Sequence, residues 1–130
     1  MQPRPSAVGL VVSDMAASLA FYRSLGLEVP DEPAPHVEIS FGALRLLLDT
    51  EETVASFDPS FTPAVGAGRV GLALECDSPA EVDAAYARLT DAGYRGHLAP
   101  FDAFWGQRYA SVLDPDGVGV DLFAAGGSAP

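Results

Sequence analysis

One pattern is written twice along this chain, and that duplication limits the folds open to it more than any other feature. The first copy starts with the apolar run Ala7-Val8-Gly9-Leu10-Val11-Val12, continues through Ser13-Asp14 and closes a helical stretch at Gly26. The second starts with Arg69-Val70-Gly71-Leu72-Ala73-Leu74, continues through Asp77-Ser78-Pro79 and closes at Gly93. Asp14 or Ser13, and Asp77 or Ser78, offer side-chain oxygens to the free amides of a first helical turn, and Pro79 suits such a turn. Glycine at the far end tolerates a left-handed cap. Met15, Leu19, Phe21, Tyr22 and Leu25, and then Val82, Ala85, Tyr86 and Leu89, recur near helical spacing and give each helix a face to bury.

After each helix the period shortens to two. His36-Val37-Glu38-Ile39-Ser40-Phe41 alternates, a Gly-Ala turn leads into Leu44-Arg45-Leu46-Leu47-Leu48, and Tyr109 to Leu113 runs through Asp114-Pro115-Asp116-Gly117 into Val118 to Phe123. Each half therefore reads as strand, helix and up to three further strands. Repeats this short do not bury a core singly, so the expectation is one α+β domain over residues 1–130. Its repeats would span 6–49 and 68–124, with a linker over 50–67 that holds a short helix at Glu51 to Ser56, and a frayed tail over 125–130.

Composition narrows the partners. Eighteen acidic residues face seven basic ones, every one arginine, for a formal charge of −11. That field repels nucleic acid and anionic lipid, favours a cationic or amine-bearing ligand, and also serves plain solubility. No run is long enough to cross a bilayer and no export signal opens the chain, so a cytoplasmic protein is expected. The lone Cys76 has no disulfide partner and reads as a small packing residue. Asp114 and Asp116 belong to a turn that Pro115 and Gly117 explain. His36 and His97 stand too far apart to form a ligand pair, although His36 and Glu38 alternate onto one strand face and could reach a cavity.

The double module, with Val12-Ser13-Asp14, Ser18-Leu19-Ala20-Phe21-Tyr22-Arg23-Ser24-Leu25-Gly26, Trp105-Gly106-Gln107-Arg108-Tyr109 and Asp114-Pro115-Asp116-Gly117, resembles the vicinal-oxygen-chelate superfamily of glyoxalases, bleomycin-resistance proteins and extradiol dioxygenases. The resemblance runs over roughly residues 6 to 124. It implies two βαβββ modules forming curved mixed sheets around a concave pocket. Within that superfamily, Leu48 to Val54 with Phe57-Asp58-Pro59, and Asp91 to Leu98, are similar to the mitomycin-binding resistance branch. That likeness implies a homodimer with strand exchange and a planar drug held by stacking on Trp105, while Leu48 stands where a second aromatic wall is expected.

Chelating members of the superfamily place a ligand at the start of the first strand and another on the last strand of each module. Counting from Asp14 and from the turns puts those places on Ala7, Arg69, Leu46 and Asp121. Alanine and leucine have no donor atoms, and a guanidinium repels a cation, so only Asp121 remains where a catalytic metal needs about three ligands. No metal and no cofactor are therefore expected. Asp121 reads as a polar anchor or charge partner for Arg69. Loop aromatics need a core, a partner chain or a ligand to cover them, which brings in Phe57, Phe61, Phe101, Phe104 and Trp105. The expected ligand-binding set is Trp105, Phe104, Leu48, Leu46, His36, Glu38, Phe57, Arg69, Arg108, Tyr109 and Asp121, with no catalytic residue. The expected function is sequestration of a planar aromatic or quinone antibiotic, mitomycin- or bleomycin-like. The competing expectation is a lyase, isomerase or drug-modifying enzyme of the superfamily, in which Arg69 and Asp121 form an acid-base pair and Arg108 or Gln107 holds a substrate oxygen.

Overall fold

The computed structural model describes residues 2–64 and 68–126, so part of the predicted linker (65–67) and of the predicted tail (127–130) lies outside the described residues. Two compact units divide the chain, residues 1–64 and 65–130. In the first, β1 (Ala7–Val12), α1 (Met15–Ser24), β2 (His36–Phe41), β3 (Leu44–Thr50) and α2 (Glu51–Phe57) follow one another. In the second the order is β4 (Gly71–Glu75), α3 (Pro79–Asp91), β5 (Gly96–Asp102), β6 (Gln107–Leu113) and β7 (Gly119–Ala125).

The two repeated helices, α1 and α3, start as the sequence dictates. Asp14 accepts from the Ala17 amide at 3.1 Å and Ser78 from the Glu81 amide at 3.2 Å, which resolves the two choices of cap. They end where Gly26 and Gly93 take φ of 100° and 98°, a conformation that side chains with a Cβ rarely adopt.

The sheets are mixed, ordered β1-β3-β2 and β4-β7-β6-β5. In each, the first strand lies parallel to the last, Ala7 opposite Arg45 and Gly71 opposite Gly119. Parallel strands need a long connection, and here it runs through the helix and the strands that follow it. The first module holds three strands where βαβββ predicts four. Pro30, Pro33 and Pro35 remove three amides within six residues of the stretch before β2, whereas its counterpart carries the single Pro100. Its counterpart β5 does form, with register shifts on either side of Leu98.

Period-two alternation sorts each sheet into two faces. In the first unit Leu10, Val12, Val37, Ile39, Leu46 and Leu48 are buried, together with Met15, Leu19, Phe21 and Tyr22 of α1. In the second, Leu72, Ala110, Val112, Val120, Leu122 and Ala124 are buried with Val82, Ala85 and Leu89 of α3. At Gly96 an added Cβ would meet the Tyr86 hydroxyl at 2.1 Å, so glycine there allows α3 and β5 to approach. Asp114 is buried in the β6–β7 turn and accepts from the amides of Asp116 and Val118, both at 2.8 Å, the structural role its turn motif indicates. Among the described residues, no helix is long and apolar enough to cross a membrane.

Candidate functional site

The face of each sheet turned away from its helix carries the polar and aromatic chemistry. On the first sheet that face presents Ala7, Gly9 and Val11 of β1, Arg45, Leu47 and Asp49 of β3, and His36, Glu38 and Ser40 of β2. A chain of hydrogen bonds crosses it. His36 Nδ1 lies 2.6 Å from Asp49 Oδ1 and its Nε2 3.2 Å from Glu38 Oε2. Arg45 donates to the other oxygen of Glu38 and, at 2.9 Å, to Ser6 Oγ. Both ring nitrogens of His36 can donate together only as imidazolium. The bond to Asp49, then that to Glu38, raises the His36 pKa above its ordinary 6.5. The same bond from His36, then that from Arg45, lowers Glu38 below its ordinary 4.5.

On the second sheet the corresponding face is aromatic. Phe101 stands opposite Tyr109, and Tyr109 opposite Phe123. Trp105, in the β5–β6 turn, meets Tyr109 at a ring distance of 5.4 Å and 81°, and Phe101 at 6.4 Å and 90°. Phe101 and Tyr109 meet at 5.7 Å and 66°, so the three rings stand steeply to one another like the walls of a corner. Trp105 Nε1 donates to Gln107 Oε1 at 2.7 Å, which fixes the indole although 48% of the residue is exposed. Burial and a hydrogen bond from the Tyr109 hydroxyl to Asp121 push the phenol up to about 12.

The structure redistributes the residues singled out in the sequence. It brings together Trp105, Phe104, Tyr109 and Asp121 on the second unit, and His36 with Glu38 on the first. Leu46 and Leu48 need correction. Each is 0% exposed on the helix side of β3, and neither can touch a ligand on the open face. The cause is parity, since a one-residue shift along a strand changes sides. Aligning the modules on their helix caps, Asp14 with Ser78, makes Gly9 equivalent to Ala73 and their ladder partners Leu47 and Asp121 equivalent. The chelate positions are therefore Ala7, Gly71, Leu47 and Asp121, rather than Ala7, Arg69, Leu46 and Asp121. Ala7 and Leu47 in the first unit and Gly71 in the second carry no donor side chain, and Asp121 carries a single carboxylate.

Arg69 lies on exposed chain before β4, and the partner of Asp121 is Tyr109, not Arg69. Arg108 faces the helix, donating from Nε to Asp83 of α3 at 2.9 Å and from Nη1 to Asp102 at 3.2 Å, so it is spoken for on the opposite side from Trp105. Phe57 ends α2 in solvent, on the other unit from Trp105. Asp49 and Arg45 escaped the sequence reading. The signal for Asp49 was present: Phe41 pairs with Leu44 across Gly42-Ala43, and counting outward sets His36 opposite Asp49.

His36, Glu38 and Asp49 lie close together, yet no described group of three His, Cys, Asp or Glu side chains is arranged to hold a metal ion. The two carboxylates engage different nitrogens of one ring, so no single point has the imidazole and both acids around it.

The sequence matches the Glyoxalase/Bleomycin resistance protein/Dioxygenase superfamily over residues 4–122, and the chain belongs to that superfamily. No curated protein matches it significantly. Among solved structures, a hypothetical protein from S. aureus is 22% identical with a TM-score of 0.81, over 96% of this chain and 95% of that one. A glyoxalase/bleomycin resistance protein/dioxygenase from Nocardioides is 26% identical with a TM-score of 0.77, over 97% and 85%. A lactoylglutathione lyase from Agrobacterium tumefaciens is 24% identical with a TM-score of 0.69, over 95% and 94%.

Proposed function

We propose that the protein binds a planar aromatic small molecule against the Trp105 corner and acts by sequestration, as an antibiotic-binding resistance protein for a mitomycin- or bleomycin-like drug, without metal-dependent turnover. The observation that carries this reading is the Trp105, Phe101 and Tyr109 corner, built of rings held in place while Trp105 and Phe101 keep exposed surface. Large aromatic surface on a monomer calls for a partner or ligand to cover it. Micromolar binding corresponds to about 8 kcal/mol. Stacking adds only about 0.5–1.5 kcal/mol per ring pair beyond buried area, so a broad flat ligand is favoured over a small polar one. The cytoplasm is the proposed location and a homodimer the proposed state, the latter measured by sedimentation with and without drug. Titration of mitomycin C and of bleomycin against the fluorescence of the lone tryptophan tests the function. Saturable quenching with one site per chain is expected, and the absence of both quenching and calorimetric heat with either drug overturns it.

A specific observation favours a second reading, an enzyme of the superfamily that moves a proton. His36, oriented by Asp49 at 2.6 Å and raised in pKa, is a competent general acid on an open face. New products after incubation with a candidate substrate, lost in His36→Gln, would favour this reading over sequestration.

A further inference from the structure

The open face of the second sheet is sorted by charge as well as by polarity. Across β4, β7 and β6 one row reads Glu75, Phe123, Tyr109 and the next reads Ala73, Asp121, Ser111. Gly71, Gly119, Leu113, Gln107 and Ala125 complete the face, and no basic residue stands on it in these three strands. Their one arginine, Arg108, points to the other side, into Asp83 and Asp102. Two carboxylates thus share a face with the aromatic corner, and no side chain of these strands neutralises them there.

Aromatic faces are the negative ends of ring quadrupoles, and they attract cations. Rings at 66° to 90° to one another present faces in different directions, which is how a small cation is enclosed. The Tyr109 hydroxyl occupies part of Asp121, but a carboxylate has two oxygens and accepts about four hydrogen bonds. An ammonium group has donors and no acceptor, the complement of that remaining capacity. A net charge of −11 adds a long-range attraction of the same sign.

We infer that the Trp105–Phe101–Tyr109 corner, with Asp121 and Glu75, selects a flat ligand bearing a protonated amine over an equally flat neutral one. This inference rests on the reading of that corner as a small-molecule site and adds the charge class of its occupant. The ring stacks on the indole while the ammonium turns toward Asp121, with Glu75 contributing more weakly from the far end of the Tyr109 row, two strands away.

The test compares 2-(aminomethyl)anthraquinone, a planar compound whose primary amine is protonated near neutral pH, with anthraquinone-2-methanol, its planar neutral counterpart, by calorimetry on the full chain. The cation is expected to bind at least tenfold more tightly, and its advantage to shrink as ionic strength rises. In Asp121→Asn the ratio of the two affinities should fall about tenfold, and in Glu75→Gln about two- to threefold. Circular dichroism identifies a variant that has not folded; Glu75 is exposed on its strand, so Glu75→Gln keeps the idea testable if Asp121→Asn fails. Equal binding of both probes, or a ratio unmoved in the folded variants, overturns the charge selectivity and leaves the flat-ligand reading intact. Binding of neither probe overturns both.

Discussion

The two sheets are copies of one module with opposite chemistry on equivalent rows. In the first, Val11, Asp49 and His36 lie side by side; in the second the same row holds Glu75, Phe123 and Tyr109. One row further along, Gly9, Leu47 and Glu38 match Ala73, Asp121 and Ser111. The helix-facing sides, by contrast, remain alike, with Leu10, Leu46 and Leu48 in one and Leu72, Val120 and Leu122 in the other. The difference teaches where such a scaffold is free to change. Residues under the helix are held by packing, whereas open-face residues answer only to what they bind, so one copy became an ion-paired network and the other an aromatic corner.

The contrast between the faces of β3 can be broken most sharply at Leu46. Leu46→Ala should cost about 2–5 kcal/mol in denaturant unfolding, because it leaves a cavity under the helix. Leu47→Ala, one residue along on the open side, should cost much less. Similar losses at both sites would mean that the face assignment is wrong. The contrast between the sheets is sharpened by Trp105→Ala, which should weaken a flat ligand by about 2 kcal/mol, roughly 30-fold, as truncation of a central aromatic anchor does. Phe104→Ala should change affinity far less, since Phe104 is 97% exposed and reaches the corner only through its edge-to-face contact with Trp105.

The network on the first sheet predicts a pH signature that the aromatic sheet lacks. His36 is raised above 6.5, so its contribution is full below that value and fades as pH climbs through the folded pKa. Glu38 is lowered below 4.5, so its contribution is full above that value and fades as pH falls through its folded pKa. The network is therefore strongest between the two ordinary values, around pH 5 to 6. Thermal unfolding of His36→Gln should lose this maximum relative to the parent, and identical pH profiles would rule the network out as a source of stability. Arg45→Gln is the smallest perturbation. Its partner Glu38 is solvent-facing, and exposed pairs contribute about 0–1 kcal/mol.

The helices and the two core stripes were legible because their signals are local. Asp14, Ser78, Gly26 and Gly93 cap whatever lies between them, and apolar spacing then tells which side is buried. The missing edge strand was legible in principle at Pro30, Pro33 and Pro35, where hydrogen-bond donors are absent from the letters themselves. Leu46 was misplaced because one miscounted residue in an alternating strand moves every side chain to the opposite face. Arg108 was read as facing a ligand from its place beside Trp105, but Asp83 stands 25 residues away, and only the packing of α3 on β6 reveals that pair.

The sequence by itself determined the duplicated strand-helix-strand pattern, the caps, the turns at Gly42 and Gly117, and the scarcity of donor atoms at the chelate positions. Those follow from backbone chemistry and residue type, which need no neighbours. Tertiary structure decided which residues share a face across longer distances: Asp121 with Tyr109, and Trp105 with Phe101 and Tyr109. Sheet register sets those meetings, and register depends on how whole strands pair and on which side each helix covers.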